Sequence, residues 1–196
     1  MNQAFTVETK GRVRAYYKDT GEVVLDKDNA IHRRNMALAL ARGLANEPDH
    51  QVFRMSFGNG GTIVEPGPSG SYQYHYNPAN VVFPDATLYN ETYSEVVDDA
   101  NSASDGNQVV STNGTVANTF LVVCTCTLTA NQPNDQPTSD DPPIGDSVPT
   151  EESYAFDEIG LKTEDGLLLS HLIFAPINKT SNRELVVEYT LTVSVS

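Results

Sequence analysis

The carboxyl-terminal segment 184–196 constrains the fold more than any other part of the sequence, because apolar and polar residues alternate along it. One face would carry the apolar side chains of Leu185, Val187, Tyr189, Leu191, Val193 and Val195. The opposite face would carry Glu188, Thr190, Thr192 and Ser194. Such alternation is typical of a strand with one buried and one solvated face. We therefore expect a core strand of an antiparallel sandwich, in which each buried side chain contributes roughly 1.5 to 3 kcal/mol.

The rest of the sequence is consistent with a mainly β protein. Val, Leu, Thr and Tyr are frequent, and 13 Gly and 11 Pro among 196 residues indicate many turns. The length allows one sizeable core. We predict a single antiparallel β-sandwich domain over residues 1–196, jelly-roll-like, with one short α-helix near residues 30–46. Long acidic surface loops are expected at about 65–80 and 131–153.

The amino-terminal part predicts a hairpin followed by this helix. Two β-prone runs in GRVRAYYKDTGEVVLDKDNA meet at residues 18–21, whose side chains favour a turn. Asp28 or Asn29 is then expected to cap the helix. The apolar stripe of the helix would consist of Ile31, Leu38, Ala41 and Ala45.

The stretch FRMSFGNGGT, residues 53–62, has three glycines directly after an alternating apolar run. A phosphate-binding loop requires a Lys followed by Ser or Thr after its last glycine, and a dinucleotide site requires a helix there. The chain continues instead as TIVEPGPSG, whose prolines and glycines preclude a helix. We therefore interpret the glycines as the turn that ends a core strand, with Phe53, Met55 and Phe57 on one side of it.

The charge of the chain is strongly negative and unevenly distributed. The formal net charge is −14, and nine of the twelve basic residues lie between Lys10 and Arg54. Residues 55–161 contain no Lys or Arg but fifteen Asp and Glu. Nucleic-acid binding is not expected, because affinity for phosphates depends on clustered basic residues. The distribution favours either a surface kept soluble by self-repulsion or the docking of complementary charged patches between subunits.

No part of the chain is typical of a membrane span or a secretory signal. A span would need about 18 consecutive apolar residues, and MNQAFTVETK lacks a positive start followed by an apolar core. We therefore expect folding in a cytoplasm.

Cys124 and Cys126 share one face of the strand FLVVCTCTLTA with Phe120, Val122 and Leu128, so they are expected to be reduced core thiols and not metal ligands.

No catalytic or metal-binding constellation is visible, so neither an enzyme nor a cofactor is expected. The chain has no Gly-x-Ser-x-Gly elbow and no His-Glu-x-x-His, and its histidines are the scattered His32, His50, His75 and His171. Asp98, Asp99 and Asp105, together with the carboxylates of 131–153, do not match the ligand spacing of a calcium-binding loop.

Three tyrosines alternate within the predicted loop 65–80. Tyr72, Tyr74 and Tyr76 would share one face if this segment is extended. Such a ladder could form a packed strand face, or it could stack on sugar rings or on a protein partner.

The order of these elements resembles that of a class of structural proteins of tailed bacteriophages. The resemblance covers an amino-terminal hairpin, a helix after an Asn-Ala-Ile step (DNAIHRRNMALALARGLA), and a strand that ends in a glycine turn (FRMSFGNGGT). It continues with TLYNETYSEVV, with DEIGLKTEDGLLLSHLIFAPINKT and with a closing alternating strand. The loops at 65–80 and 131–153 depart from the pattern.

The resemblance implies a non-enzymatic virion component. Such a protein would be a homo-oligomer that docks on other virion proteins at the neck, collar, baseplate or tail, after assembly in the bacterial cytoplasm. One alternative is a capsid cement or decoration protein. A second is a carbohydrate-binding module of a tail fibre or baseplate, with Tyr72, Tyr74 and Tyr76 as its platform.

Overall fold

The computed structural model describes residues 6–68, 71–98, 102–133 and 153–196. Their helices and strands, in chain order, are β1 (Val7–Tyr17), β2 (Val23–Ile31), α1 (Arg33–Leu44), β3 (Val52–Gly58), β4 (Thr62–Pro66), β5 (Tyr72–Tyr76), β6 (Glu91–Val96), α2 (Ser102–Asp105), β7 (Gln108–Asn113), β8 (Thr119–Leu128), β9 (Ser153–Thr163), β10 (Leu168–Thr180) and β11 (Leu185–Val195).

Nine strands form one curled antiparallel sheet, in the order β6-β3-β9-β10-β2-β1-β11-β8-β7. The curl is at β2, which pairs with β1 along most of its length and reaches β10 only through Ala30 and Ile31. The two halves of the sheet face each other: Ala15 and Val187 from one half line the same small cavity as Phe57 from the other. The prediction of a mainly β antiparallel sandwich with a short helix is confirmed.

The carboxyl-terminal strand β11 is central, as the alternation predicts. It pairs with β1 on one side and with β8 on the other, and its buried face includes Leu185, Val187, Tyr189 and Leu191. Val193 and Val195 extend this face beyond the closed core, and Val195 is 38% exposed. The predicted hairpin before the helix is also confirmed, because β1 and β2 pair antiparallel around the turn at 18–21.

The predicted cap of α1 is wrong. Asp28 and Asn29 lie in β2, which continues to Ile31. The N-cap is His32, whose ring Nδ1 accepts the backbone N–H of Asn35 at 3.2 Å. The helix therefore begins at Arg33, and an imidazole performs the role for which the sequence indicated a carboxylate or an amide.

The predicted stripe of α1 is also wrong. The side chains that α1 buries are Asn35, Met36 and Ala39, whereas Ala41 and Ala45 are exposed. The cause is a polar contact: Asn35 Nδ2 donates to the carbonyl oxygens of Leu168 and Pro84, at 3.1 Å and 3.2 Å. These bonds join the amino-terminal half of the helix to β10 and to Pro84, which apolar periodicity alone does not indicate.

The segment 65–80 is not the loop that we predicted. It contains β5, which pairs with β4 from Thr62↔Tyr76 to Pro66↔Tyr72 to form a small second sheet. The tyrosines that we assigned to a loop are strong strand formers and outweigh the surrounding prolines and glycines.

The short helix α2 was not predicted. Most of the predicted loop 131–153 lies outside the described residues, which resume at Ser153, so that loop stays a prediction.

Candidate functional site

The glycine turn after β3 binds two buried carboxylates of the chain itself. Asp157 Oδ1 accepts the backbone N–H of Gly61 at 2.9 Å, and Asp157 Oδ2 accepts that of Thr62 at 2.7 Å. Glu158 Oε1 accepts the N–H of Gly60 at 3.2 Å. Both acids belong to β9, and Glu158 lies opposite Gly58 in the pairing of β9 with β3. The turn therefore does present N–H groups to an anion, but the anion is internal.

Glu158 also holds the segment that precedes β6. Its Oε2 accepts the N–H of Tyr89 at 2.9 Å, and its Oε1 accepts that of Asn90 at 2.7 Å. Glu158 Oε2 accepts a further bond from Nε2 of His171 at 3.0 Å. This histidine lies in β10, and its Nδ1 accepts the backbone N–H of Asn80 at 2.9 Å. Because Nδ1 accepts, the ring proton is on Nε2 and points towards the carboxylate.

A second buried histidine holds the middle of the same segment. His32 Nε2 lies 2.7 Å from the carbonyl oxygen of Phe83, while its Nδ1 accepts the N–H of Asn35. His32 therefore has the same tautomer as His171, with Nε2 as the donor. We call Asp157, Glu158, His171, His32 and Asn35 the buried polar cluster. Its bonds reach residues 80, 83, 84, 89 and 90, and thus fix the whole 80–90 segment against the sheet.

The two adjacent carboxyl groups differ in their electrostatics. Burial raises the pKa of Asp157 to about 6, although the N–H groups of Gly61 and Thr62 act in the opposite direction. Burial alone would also raise the pKa of Glu158. The hydrogen bond from His171 and the N–H groups of Asn90 and Tyr89 outweigh burial there, so the pKa of Glu158 is lowered.

A carboxylate bonded to an imidazole is also the arrangement of a general acid–base pair. Here, however, Asp157, Glu158, His171, His32 and Asn35 are all completely buried. Both ring nitrogens of His171 have partners within the chain. The geometry is that of a structural hydrogen-bond network, which provides partners for backbone N–H groups that have no partner in a strand ladder.

Lys179 is a further buried ionisable residue, which no sequence pattern indicates. It is completely buried in β10, and its Nζ donates to the carbonyl oxygens of Ala130 at 3.1 Å and Thr180 at 3.4 Å. The ring centroid of Tyr154 is 5.4 Å from Nζ. Burial lowers the pKa of Lys179 to about 8. The residue therefore ties the chain after β8 to the end of β10.

The two cysteines are core residues, as predicted. Cys124 and Cys126 are free and completely buried on the inner face of β8. Burial raises the pKa of the Cys124 thiol to about 12 and also raises that of Cys126. Neither is therefore activated as a nucleophile.

The tyrosine ladder on β5 is partly accessible. Tyr74 is 47% exposed and Tyr76 is 51% exposed, so a closely packed strand face is the wrong interpretation for these two. Lys27 Nζ lies 5.8 Å from the ring centroid of Tyr76. The side chain of Tyr72 lies outside the described part of the structure.

Carboxylates do not form a calcium site in the described residues. Among these residues, no group of three or more His, Cys, Asp and Glu side chains could hold a metal ion. Asp105 Oδ1 instead accepts the backbone N–H of Asn107 at 2.9 Å. Asp99 and the carboxylates of 134–152 are not described.

An apolar groove of about 640 Å³ lies between α1 and the sheet. Leu40 and Leu44 line it from the helix, and Val109, Val122 and Val193 line it from β7, β8 and β11. Leu44 is 91% exposed. This end of the sandwich thus presents apolar side chains of both helix and sheet to the outside.

No protein family, curated protein or solved structure was found to match this chain. In the part of the chain that the structure describes, no helix has the length and apolar character of a membrane-spanning segment.

Proposed function

We propose that this protein is a non-enzymatic structural subunit of a tailed-phage virion, which forms a homo-oligomer and docks at the neck, collar or tail. The observation that supports this most is the apolar groove beside α1, whose walls include the 91% exposed Leu44. Extended apolar surface on a folded protein commonly marks a protein–protein contact. The sequence resemblance to phage structural proteins indicates which kind of assembly.

The buried polar cluster supports a structural role in a different way. Its carboxylates and imidazoles bind backbone groups of the 80–90 segment and of the glycine turn. An irregular segment fixed in this way keeps a defined shape at the surface, which a docking subunit requires. Phe83, held through its carbonyl by His32, exposes 66% of its surface, and Val82 exposes 74%.

The charge distribution is the third support. Arg33 and Arg34 are exposed at the start of α1, and Arg33 borders a second groove of about 970 Å³ between α1 and the start of β1. The chain as a whole carries a net charge of −14. Exposed arginines beside an apolar surface would select an acidic neighbour and orient it.

Quantitative mass spectrometry of particles of the phage that encodes this chain tests the proposal. We expect the chain in the particle at roughly six to twelve copies, in keeping with closed ring symmetry. A count in the hundreds would instead identify the alternative, a capsid cement or decoration protein. Absence of the chain from purified particles would contradict both assignments.

A carbohydrate-binding module remains the second candidate, because Tyr74 and Tyr76 are half exposed on one strand. Tyrosine rings of this kind stack on sugars. The test is binding of the wild-type protein to host-surface glycans, compared with a variant in which Tyr72, Tyr74 and Tyr76 are all replaced by Ala. Equal binding by the two proteins would remove this candidate.

A further inference from the structure

Strand β7 is the last strand of the nine-stranded sheet in the part of the chain that the structure describes. It pairs with β8 in unbroken register, from Gln108↔Thr125 to Asn113↔Phe120. Among the residues that the structure describes, no strand pairs with its other side. The outward N–H and C=O groups of an edge strand form a template for another strand.

The protections that usually block such an edge are lacking in β7. Its sequence, QVVSTN, has no charged residue, no proline and no glycine, and its pairing with β8 has no bulge. The other edge strand, β6, also lacks proline and glycine, but it has charged residues and an interrupted register. It has Glu91 and Glu95, and its pairing with β3 is interrupted between Phe57 and Gly58. Charges and bulges are the devices that keep edges apart.

The open edge belongs to a region without charge. Residues 106–134 form a run of 29 positions with no Asp, Glu, Lys, Arg or His, in a chain of net charge −14. This run includes β7, β8 and the turn between them. It also presents apolar side chains, because Val110 is 44% exposed, Val116 68% and Phe120 54%.

We propose that β7 pairs antiparallel with β7 of a second copy of this chain, so that one sheet continues across a two-fold axis. The proposal rests on the homo-oligomer part of the proposed function and names its interface. Two copies that each carry a net charge of −14 repel one another. The strands β7 and β8 have no charged side chains, so two copies of the chain can approach there without bringing like charges together.

A second copy fits this edge better than an unrelated partner. An uncharged edge provides no electrostatic selection for a foreign strand. Two identical edges, in contrast, satisfy one another's hydrogen bonds when they meet antiparallel, which is the isologous contact of a two-fold dimer.

The substitution Val110→Lys tests the pairing, and Val23→Lys is its matched control. Val110 in β7 is 44% exposed and Val23 in β2 is 45% exposed, so the two changes introduce the same charge at strand valines of equal accessibility. Both variants lower the net negative charge by one. General repulsion would therefore weaken slightly in both, and only a specific β7 contact predicts weaker association in V110K.

Sedimentation velocity of the full-length proteins, from about 1 µM to about 1 mM, gives the dissociation constants. We expect a wild-type dimer, an unchanged constant for V23K and a constant at least about tenfold larger for V110K, because the substitution places a positive charge from each copy at the shared edge. Thr112→Lys, at another exposed position of β7, provides a second variant if V110K fails to fold.

Amide hydrogen exchange adds an independent readout. Wild-type β7 amides should gain protection as the concentration rises, whereas those of β6 should not. A monomeric wild type, equal dimerisation of V110K, T112K and wild type, or β7 amides already fully protected in the monomer would each overturn the proposal. The last result would mean that another part of the same chain covers the edge. None of these results bears on the presence of the chain in particles, which tests the proposed function separately.

Discussion

Asp157 and Glu158 are consecutive residues, both completely buried, yet the fold changes their pKa values in opposite directions. The difference lies in their hydrogen bonds. Glu158 accepts three backbone N–H groups and the imidazole N–H of His171, whereas Asp157 accepts two backbone N–H groups. Burial penalises both charges, and the number of donors decides which effect dominates.

The same two carboxylates explain why the turn after β3 contains glycines. The N–H groups of Gly60 and Gly61 point at carboxylates, as they would at a bound phosphate. Side chains at these positions are restricted as well: a Cβ on Gly60 would lie 2.7 Å from the backbone nitrogen of Asn90. Gly60 therefore allows close approach to the 80–90 segment, whereas Gly61 allows close approach to Asp157, whose carbonyl oxygen would lie 3.0 Å from a Cβ there. The carboxylates that these N–H groups bind are part of the fold itself.

The largest effect is expected from Glu158→Gln. The glutamine amide has one oxygen to accept the four N–H groups that now bond to the carboxylate, and its own NH₂ would face N–H donors. We therefore expect a loss of about 3 kcal/mol or more in the free energy of unfolding at pH 7. Urea denaturation measures it. Glu164→Gln, at an exposed carboxylate that accepts from Gln51, is the control and should cost less than about 0.5 kcal/mol. Similar losses in the two variants would contradict the role of Glu158.

Asp157→Asn should cost less, about 1 to 2 kcal/mol at pH 7, because this carboxylate has fewer donors and is penalised by burial. Exposed Asp85→Asn, in the 80–90 segment, is the control and should have little effect.

The two substitutions should respond to pH in opposite ways. Because the folded pKa of Asp157 is raised from 3.8 to about 6, wild-type stability from this group falls as the pH rises through that window. The cost of D157N should therefore grow, by on the order of 2 kcal/mol, between pH 7 and pH 4. Glu158 has a lowered pKa, so its contribution is lost as the pH falls below 4.5. The loss of unfolding free energy caused by E158Q should therefore become smaller below pH 4.5. If the losses caused by the two substitutions changed with pH in the same direction, the opposite pKa shifts of Asp157 and Glu158 would be contradicted.

Lys179 extends the comparison to a buried cation. Its folded pKa is lowered from 10.5 to about 8, so the native state binds fewer protons than the unfolded state within that window. Wild-type stability from this group should therefore increase between pH 8 and pH 10.5, by on the order of 2 kcal/mol. Lys179→Met should abolish this increase. Denaturation of both proteins at pH 8 and pH 10 measures it, and identical pH dependence would contradict the assignment.

The smallest effect on stability is expected at a residue that is about half exposed. Tyr74→Ala removes a side chain of a residue that is 47% exposed, and should cost at most about 1 kcal/mol. Thermal unfolding followed by circular dichroism is sufficient. A loss as large as that of E158Q would mean that the hairpin of β4 and β5 is part of the core.

The sequence predicts the framework of this molecule better than its polar interior. The alternation in β11, the first hairpin and the thiols of Cys124 and Cys126 follow from local patterns, and the structure confirms them. The partners of Glu158 do not follow from such patterns, because Tyr89 is 69 positions away and Gly60 is 98. The one available signal is an acidic pair inside the apolar strand YAFDEIGL.

The helix α1 shows the same limit. Propensity favours Asp28 or Asn29 as its cap, but β2 uses both residues for pairing with β1. The position of His32 depends on the carbonyl of Phe83, which is 51 positions away. Tertiary hydrogen bonds thus override local preference, both at the cap and on the buried face of the helix.

Backbone amide exchange of the wild-type protein, measured residue by residue by NMR, tests the central claim that internal carboxylates hold the glycine turn and the 80–90 segment. The amides of Gly61, Thr62, Tyr89 and Asn90 lie outside the main sheet ladders, yet they should be strongly protected, and E158Q should release those of Tyr89 and Asn90 first. Exchange of these four amides at the rates of an unstructured peptide in the wild type would contradict the account.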